Sequence, residues 1–177
     1  MKTILAFGAS TSHTSINRQL ALAAARMVPG AEVTDLDLST YVLPIYSSQE
    51  EETQGVPAAA GQFLEAIRSH DGIVVSLAEH NGSYAAAFKN LYDWTSRMEQ
   101  KLWSEKPMLL LSTSPGGRGG ASVMDAAKAT FPRMGANVVG TFSLPSFGTN
   151  FSVDQGVTDQ ALAAALSDVV KSFGEAL

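Results

Sequence analysis

Four short apolar runs, Ile4–Phe7, Gly72–Ala78, Met108–Leu111 and Val138–Leu144, punctuate the chain, each bounded by Gly, Pro, Ser or Asn. Short apolar runs closed by turn formers predict buried strands. A fifth run, Glu32–Leu36, alternates polar and apolar residues and predicts an edge strand with one wet face. Between these lie Ser15–Val28, Pro57–Ser69, Ser83–Arg97, Gly120–Met134 and Thr158–Ala176, mostly Ala-rich with apolar residues three and four apart. That spacing predicts helices, and Pro57 suits a first helical turn, where its missing N–H costs nothing. Strict β-α alternation predicts an α/β fold, a doubly wound five-stranded parallel sheet with helices on both faces, because right-handed crossovers place them there. No repeat, low-complexity tract or linker divides the chain, so residues 1–177 are expected to form one domain. Ser47–Gly55, with Glu50-Glu51-Glu52, reads as an exposed loop, either a solvated acidic turn or a mobile flap.

Composition narrows the chemistry. The chain has 177 residues, no cysteine and a formal net charge of −5. Without cysteine there is no thiolate nucleophile, disulfide framework, iron–sulfur cluster or Cys-zinc site, so any redox chemistry must come from a bound cofactor. The twelve Lys and Arg are scattered, which argues against a nucleic-acid partner. The apolar start Ile4–Phe7 is too short for a signal h-region and no window reaches membrane-spanning length, so a cytoplasmic location with no membrane partner is expected.

In open α/β sheets ligands sit beyond the strand carboxyl ends, which directs attention to three loops. After the first strand, Gly8-Ala9-Ser10-Thr11-Ser12-His13-Thr14-Ser15-Ile16-Asn17 brings hydroxyls, backbone N–H groups and a helix amino terminus together, a neutral cradle suited to a monophosphate. It lacks both the P-loop Lys and the GxGxxG spacing. The same residues also serve as a plain helix start, with Ser15 as the cap. After the third strand, Ala78-Glu79-His80-Asn81-Gly82-Ser83-Tyr84 can present polar groups to a planar heteroaromatic edge, with Ser83 capping the next helix. After the fourth, Ser112-Thr113-Ser114-Pro115-Gly116-Gly117-Arg118-Gly119-Gly120 carries four glycines, more than a turn needs, which lets a flat ligand approach the backbone. His80 is either an acid–base group or a solvated hydrogen-bonding one. Arg118 either meets a phosphate or a reduced ring, or lies in solvent. His13, His70 and His80 are isolated, and neither HExxH nor GxSxG occurs, so no metal site or hydrolytic machinery is visible.

Taken in order on this architecture, the loops resemble those of the NADPH-dependent FMN reductase family, flavodoxin-like enzymes that include chromate, quinone and azo-dye reductases. The resemblance runs from Met1 to about Phe147. Lys89-Asn90-Leu91-Tyr92-Asp93-Trp94-Thr95-Ser96-Arg97 is similar to the family's K-N-x-x-D-W-x-S-R helix, and Glu79-x-Asn81-x-Ser83 to its P-E-Y-N-x-S loop. Ser10-x4-Ser15-x-Asn17 resembles the G-S-x-R-x-x-S-x-N phosphate loop, and Leu43-Pro44-Ile45-Tyr46 an L-P-x-Y/F segment. Lys106-Pro107 and the run to Gly120 match K-P followed by S-x-S-P-G-x-x-G-G. Ser12 replaces the family Arg, Ala9 the loop Gly, Ala78 and His80 the Pro and Tyr, and Ala85-Ala86 a Pro-Gly.

The resemblance implies FMN as cofactor and NADPH or NADH as co-substrate, with FMN phosphate at Ser10, Ser15 and Asn17; Ser12 and Ile16 join them as cofactor-binding candidates, Ser12 by position only. It implies the ring between Glu79, His80, Asn81 and Ser83 on one side and Ser114, Pro115, Gly116 and Gly117 on the other. Hydride passes to the flavin and electrons then to a small-molecule quinone, azo, metal-ion or free-flavin acceptor, with no side chain as catalyst. A homodimer or homotetramer is implied, and Phe88, Tyr92, Trp94 and Trp103 serve either an interface or the core. A flavodoxin-like electron carrier and a non-redox phosphate-ester binder remain as alternatives.

Overall fold

A computed structural model describes residues 1–177. The chain runs β1 (Thr3–Ala9), α1 (Ile16–Arg26), β2 (Glu32–Asp35), α2 (Ser48–Gln54), α3 (Ala58–Arg68), β3 (Gly72–Leu77), β4 (Glu79–His80), β5 (Ser83–Tyr84) and α4 (Ala86–Met98). It continues through β6 (Pro107–Thr113), α5 (Ala121–Thr130), β7 (Asn137–Leu144), α6 (Phe147–Asn150), β8 (Phe151–Ser152), β9 (Gly156–Val157) and α7 (Gln160–Ala176), with 3-10 turns at Leu38–Thr40 and Phe131–Met134.

All five expected strands join one parallel sheet in the order β2-β1-β3-β6-β7. This is the flavodoxin-like order, which reverses direction between β1 and β3 and opens a crevice there. Alternate side chains of each central strand feed opposite cores. Leu5, Phe7, Val75 and Leu110 pack with Phe63 of α3, Phe88 and Leu91 of α4 and Val123 of α5. Ile4, Ala6, Val74 and Leu109 pack with Leu20 and Ala24 of α1 and Leu166 and Phe173 of α7. Both faces are dry, which is why these strands are continuously apolar, whereas β2 at the edge is mostly exposed. Phe63 is fully buried against Phe7, Tyr41 and Trp103, and its truncation to Ala would cost about 3–5 kcal/mol.

The structure corrects three local expectations and fills one gap. Ser47–Gly55 is not a loop, because Ser48–Gln54 form α2, with the Ser47 hydroxyl accepting from Glu50 N–H at 3.1 Å and Gly55 ending it at φ 74°. Glu50 and Glu51 in the first turn complement the helix dipole; the segment remains unburied, as an acidic surface should. The helix expected from Ser83 begins only at Ala86, because Glu79–Tyr84 fold into a two-residue hairpin with Asn81 and Gly82 at φ 51° and 77°. Ser83 therefore pairs with His80 and caps nothing. The Gly120–Met134 helix tightens into a 3-10 turn at Phe131, where Pro132 enters, and stops at Gly135. Pro145–Val157, which carried no assignment, holds α6 and the β8–β9 hairpin.

Candidate active site

The carboxyl ends of β1, β3 and β6 are built to receive the first turn of α1. Gly8 is required there, since a Cβ would collide with the backbone N of Arg18 and lie 2.9 Å from the carbonyl carbon of Asn17. Ser15 caps the helix, its hydroxyl accepting from Arg18 N–H at 3.1 Å, while its own N–H donates to Ser12 O. Ser12 N–H in turn donates to the Ser10 hydroxyl at 3.1 Å. The N–H groups of Ile16 and Asn17, the next two orphan donors of the helix, have no protein acceptor. They open onto the loop.

Asn17 is buried and its amide is an internal clamp. Its Oδ1 accepts from the Ser76 hydroxyl at 2.7 Å and from Thr113 N–H at 3.0 Å, while Nδ2 donates to Thr113 O at 3.2 Å. It thereby ties α1 to the ends of both β3 and β6. Ser112 and Thr113 fix the glycine-rich loop in the same way. The Ser112 hydroxyl donates to Gly119 O and the Thr113 hydroxyl to Leu144 O, both at 2.7 Å. Gly119 adopts φ 57° and passes so close to Leu144 that a Cβ would lie 2.9 Å from its carbonyl, whereas a Cβ on Gly117 would meet nothing.

The hairpin and the glycine-rich loop form facing walls linked by one carboxylate. Glu79 Oε2 accepts from Val123 N–H in the first turn of α5 at 2.9 Å, supplying from outside the cap that Gly120 lacks. A crevice of about 220 Å³ results, and it brings together the anticipated Ser10, Ser12, Ser15, Ile16, Asn17, Glu79, His80, Ser114 and Pro115. Asn81 and Ser83 stand on the exposed hairpin beyond it, and Gly116 and Gly117 on the outer part of the loop. Thr14, Ala78 and Thr113 also line it without having been expected to touch a ligand. Their only signal was position, next to a phosphate-type loop or at a strand end. A larger apolar groove of about 450 Å³ lies between Leu22, Arg26 and Met27 of α1, the Phe151–Val157 hairpin and Leu166 of α7. It is away from the strand ends and has no comparable set of hydroxyls.

The Lys89–Arg97 motif does not line the crevice. Asn90 accepts from Tyr46 N–H and donates to Pro44 O, both at 2.9 Å, and the Trp94 indole donates to the same carbonyl at 2.8 Å. Arg97 reaches Glu51 of α2 at 2.9 Å and lies over the Tyr46 ring. The motif is a clasp for the segment after β2. Phe88, Tyr92, Trp94 and Trp103 are core residues, so the interface alternative for them falls. Within that core, Tyr92 O–H and Trp103 N–H reach no partner at hydrogen-bond geometry, and burial pushes the Tyr92 phenol well above its ordinary range, outweighing a weak opposing contact from Trp103. Arg118 is exposed, donates to Ser122 at 3.0 Å and stays outside the crevice.

The family described as NADPH-dependent FMN reductase matches residues 2–149, which include all five strands of the parallel sheet and every wall of this crevice. The chain belongs to the NADPH-dependent FMN reductase family. It is accordingly an NAD(P)H-dependent oxidoreductase that works through FMN. Among relatives of this FMN reductase, a quinone reductase of Escherichia coli (strain K12) is 28% identical over 171 residues, covering 91% of this chain and 87% of the relative. An NADPH:quinone oxidoreductase of Arabidopsis thaliana is 32% identical over 110 residues, covering 62% of this chain and 55% of the relative. Among solved structures, FerB of Paracoccus denitrificans, described as a flavoenzyme NAD(P)H:(acceptor) oxidoreductase, superposes with TM-score 0.78 at 25% identity, covering 99% of this chain and 97% of its own.

Proposed function

We propose that Ser10, Ser12, Ser15, Ile16 and Asn17 hold the phosphate of FMN and that Glu79, His80, Asn81 and Ser83 face Ser114, Pro115, Gly116 and Gly117 across its ring. The observation that carries this reading is the convergence of free helix N–H groups, hydroxyls and two opposed walls on one crevice at the sheet's switch point. The donors fit the group, since a phosphate needs several N–H and O–H partners and a flat ring needs close backbone approach. When bound, FMN supplies the two-electron chemistry, taking hydride from NAD(P)H and returning electrons to an acceptor.

The side chains here orient and exclude; none is arranged as a nucleophile or proton donor. Asn17 keeps the helix start pressed on the strand ends, so its backbone N–H, and not its carbonyl, is the group left for a ligand. Glu79 fixes the distance between the two walls. The names of the relatives support a small-molecule acceptor of the quinone or azo class, with free flavin and metal ions as further candidates. We assign the whole chain, 1–177, to one FMN-binding domain working in the cytoplasm as a homodimer or homotetramer; no helix is long and apolar enough to cross a membrane.

An absorption spectrum of the protein with added FMN tests the reading. Bound flavin that bleaches anaerobically with NADPH or NADH, and recolours on adding a quinone, is the expected result. Flavin that binds yet stays oxidised with both nucleotides would favour the electron carrier, and no flavin binding would sink both.

A further inference from the structure

The charges around the crevice carry one more step, resting on the flavin reading above. Of its lining residues only Glu79 and His80 are ionisable, and no Lys or Arg is among them. The Arg18 guanidinium, in the first turn of α1, is held between Asp35 and Asp37, each at 2.8 Å, while Arg118 on the glycine-rich loop is exposed, outside the crevice lining, and bound to the neutral Ser122. The trio of Arg18, Asp35 and Asp37 carries one net negative charge. Lys89 is bound to Asp93 at 2.7 Å. The positive end of α5 is already met by the Glu79 carboxylate, which leaves the α1 amino terminus as the favourable dipole. The whole chain carries −5.

We propose that this site binds the dianionic flavin phosphate through dipoles alone, inside a net negative field, and that position 12 sets this property. Short N–H···O and O–H···O contacts are little affected by salt, whereas repulsion between the phosphate and the more distant carboxylates is screened, the Debye length shrinking from about 30 Å at 0.01 M to about 8 Å at 0.15 M. FMN binding therefore tightens as salt rises. A cation-based phosphate site behaves in the opposite sense, losing affinity with salt. Ser12 is exposed at the mouth of the crevice, with its backbone held by Ser10 and Ser15, so a long cationic side chain placed there has room to reach a bound phosphate.

The test is a pair of titrations followed by flavin fluorescence quenching at pH 8, above the ordinary imidazole range, in 10 and 300 mM NaCl. Riboflavin, which has no phosphate, serves as the uncharged control. FMN affinity should rise by about threefold between the two salts while riboflavin changes little. Ser12→Arg should tighten FMN by about tenfold at low salt, the scale of one hydrogen bond to a charged group, reverse the sign of the salt effect and leave riboflavin unaltered. Wild-type binding of FMN that is flat or weakens with salt overturns the inference while leaving the flavin site intact. Failure of both FMN and riboflavin to bind overturns the flavin reading and the inference together.

Discussion

Replacing Asn17 by Ala should destabilise the fold more than any other single polar substitution at the crevice. The amide makes three buried hydrogen bonds, to the Ser76 hydroxyl and to Thr113 N–H and C=O. Each is worth about 1 kcal/mol net, and stranding the Ser76 and Thr113 groups in a dry site adds about 1–2 kcal/mol more, giving a loss of about 4 kcal/mol. Ser76 is wholly buried, so water cannot readily replace the lost partner. Equilibrium unfolding in urea measures it, as a lower midpoint with an unchanged slope. Asn17→Asp sharpens the test. The near-isosteric carboxylate keeps both acceptor contacts but sets an oxygen against Thr113 O, so burial and that contact raise its folded-state pKa. The folded protein then binds more protons than the unfolded chain, and the variant's stability falls as pH rises from about 4 towards 7. A loss below about 1 kcal/mol for the Ala variant, or a pH-independent Asp variant, would refute the clamp.

Three further outcomes follow from other parts of the molecule. Tyr92→Phe removes a buried hydroxyl that has no partner, so the variant should melt at the same temperature or higher, a gain of up to about 1 kcal/mol; a clear loss would mean the hydroxyl has a partner after all. Ser104 and Glu105 sit consecutively at φ 56° and 57°, and Glu105→Gly should stabilise by about 0.5–1 kcal/mol once glycine's extra unfolded-state entropy is subtracted. Glu105→Ala keeps the Cβ and should show no such gain. The Asp37 carboxyl is held down to about 2 by the Ser39 hydroxyl and backbone N–H and then by Arg18. Because that is below its unfolded value, its contribution is present above pH ~4 and lost as pH falls towards ~2. Thermal melts across that range should drop less steeply for Asp37→Asn than for the native chain.

The sheet was legible because its strands are buried on both faces and so read as unbroken apolar runs. What escaped were elements too short or too exposed to show a period. The β4–β5 hairpin has two residues per strand, so alternation cannot register, although Asn81-Gly82 is the dipeptide a tight hairpin turn prefers. The α2 helix buries nothing and leaves no apolar stripe; its trace in the sequence was Ser47 three residues before Glu50, the capping-box spacing. At the crevice, residue type drew attention to hydroxyl-rich and glycine-rich loops, and residues from both line it. The partnerships did not show. Asn17 with Thr113 and Glu79 with Val123 lie 96 and 44 residues apart, and nothing local in the chain says that their side chains would be spent on the protein instead of on a ligand.

That separation explains which parts of the family pattern this chain keeps. The clasp demands particular chemistry. Asn90 must both donate and accept to bind Pro44 and Tyr46 at once, and Trp94 must be long enough to deliver a second N–H to the Pro44 carbonyl while its ring fills the core. Here every motif position matches. The departures fall elsewhere: Ser12, Ala78 and His80 line the crevice, Ala9 ends β1 and Ala85-Ala86 open α4. Substitutions at the three crevice positions change its charge and contour without touching the Asn17 hydrogen bonds that tie α1 to β3 and β6. The fold therefore fixes the clasp residues more tightly than Ser12, Ala78 and His80 at the crevice, and, on the resemblance, the departure with the largest electrostatic consequence is Ser12 where the family pattern has Arg.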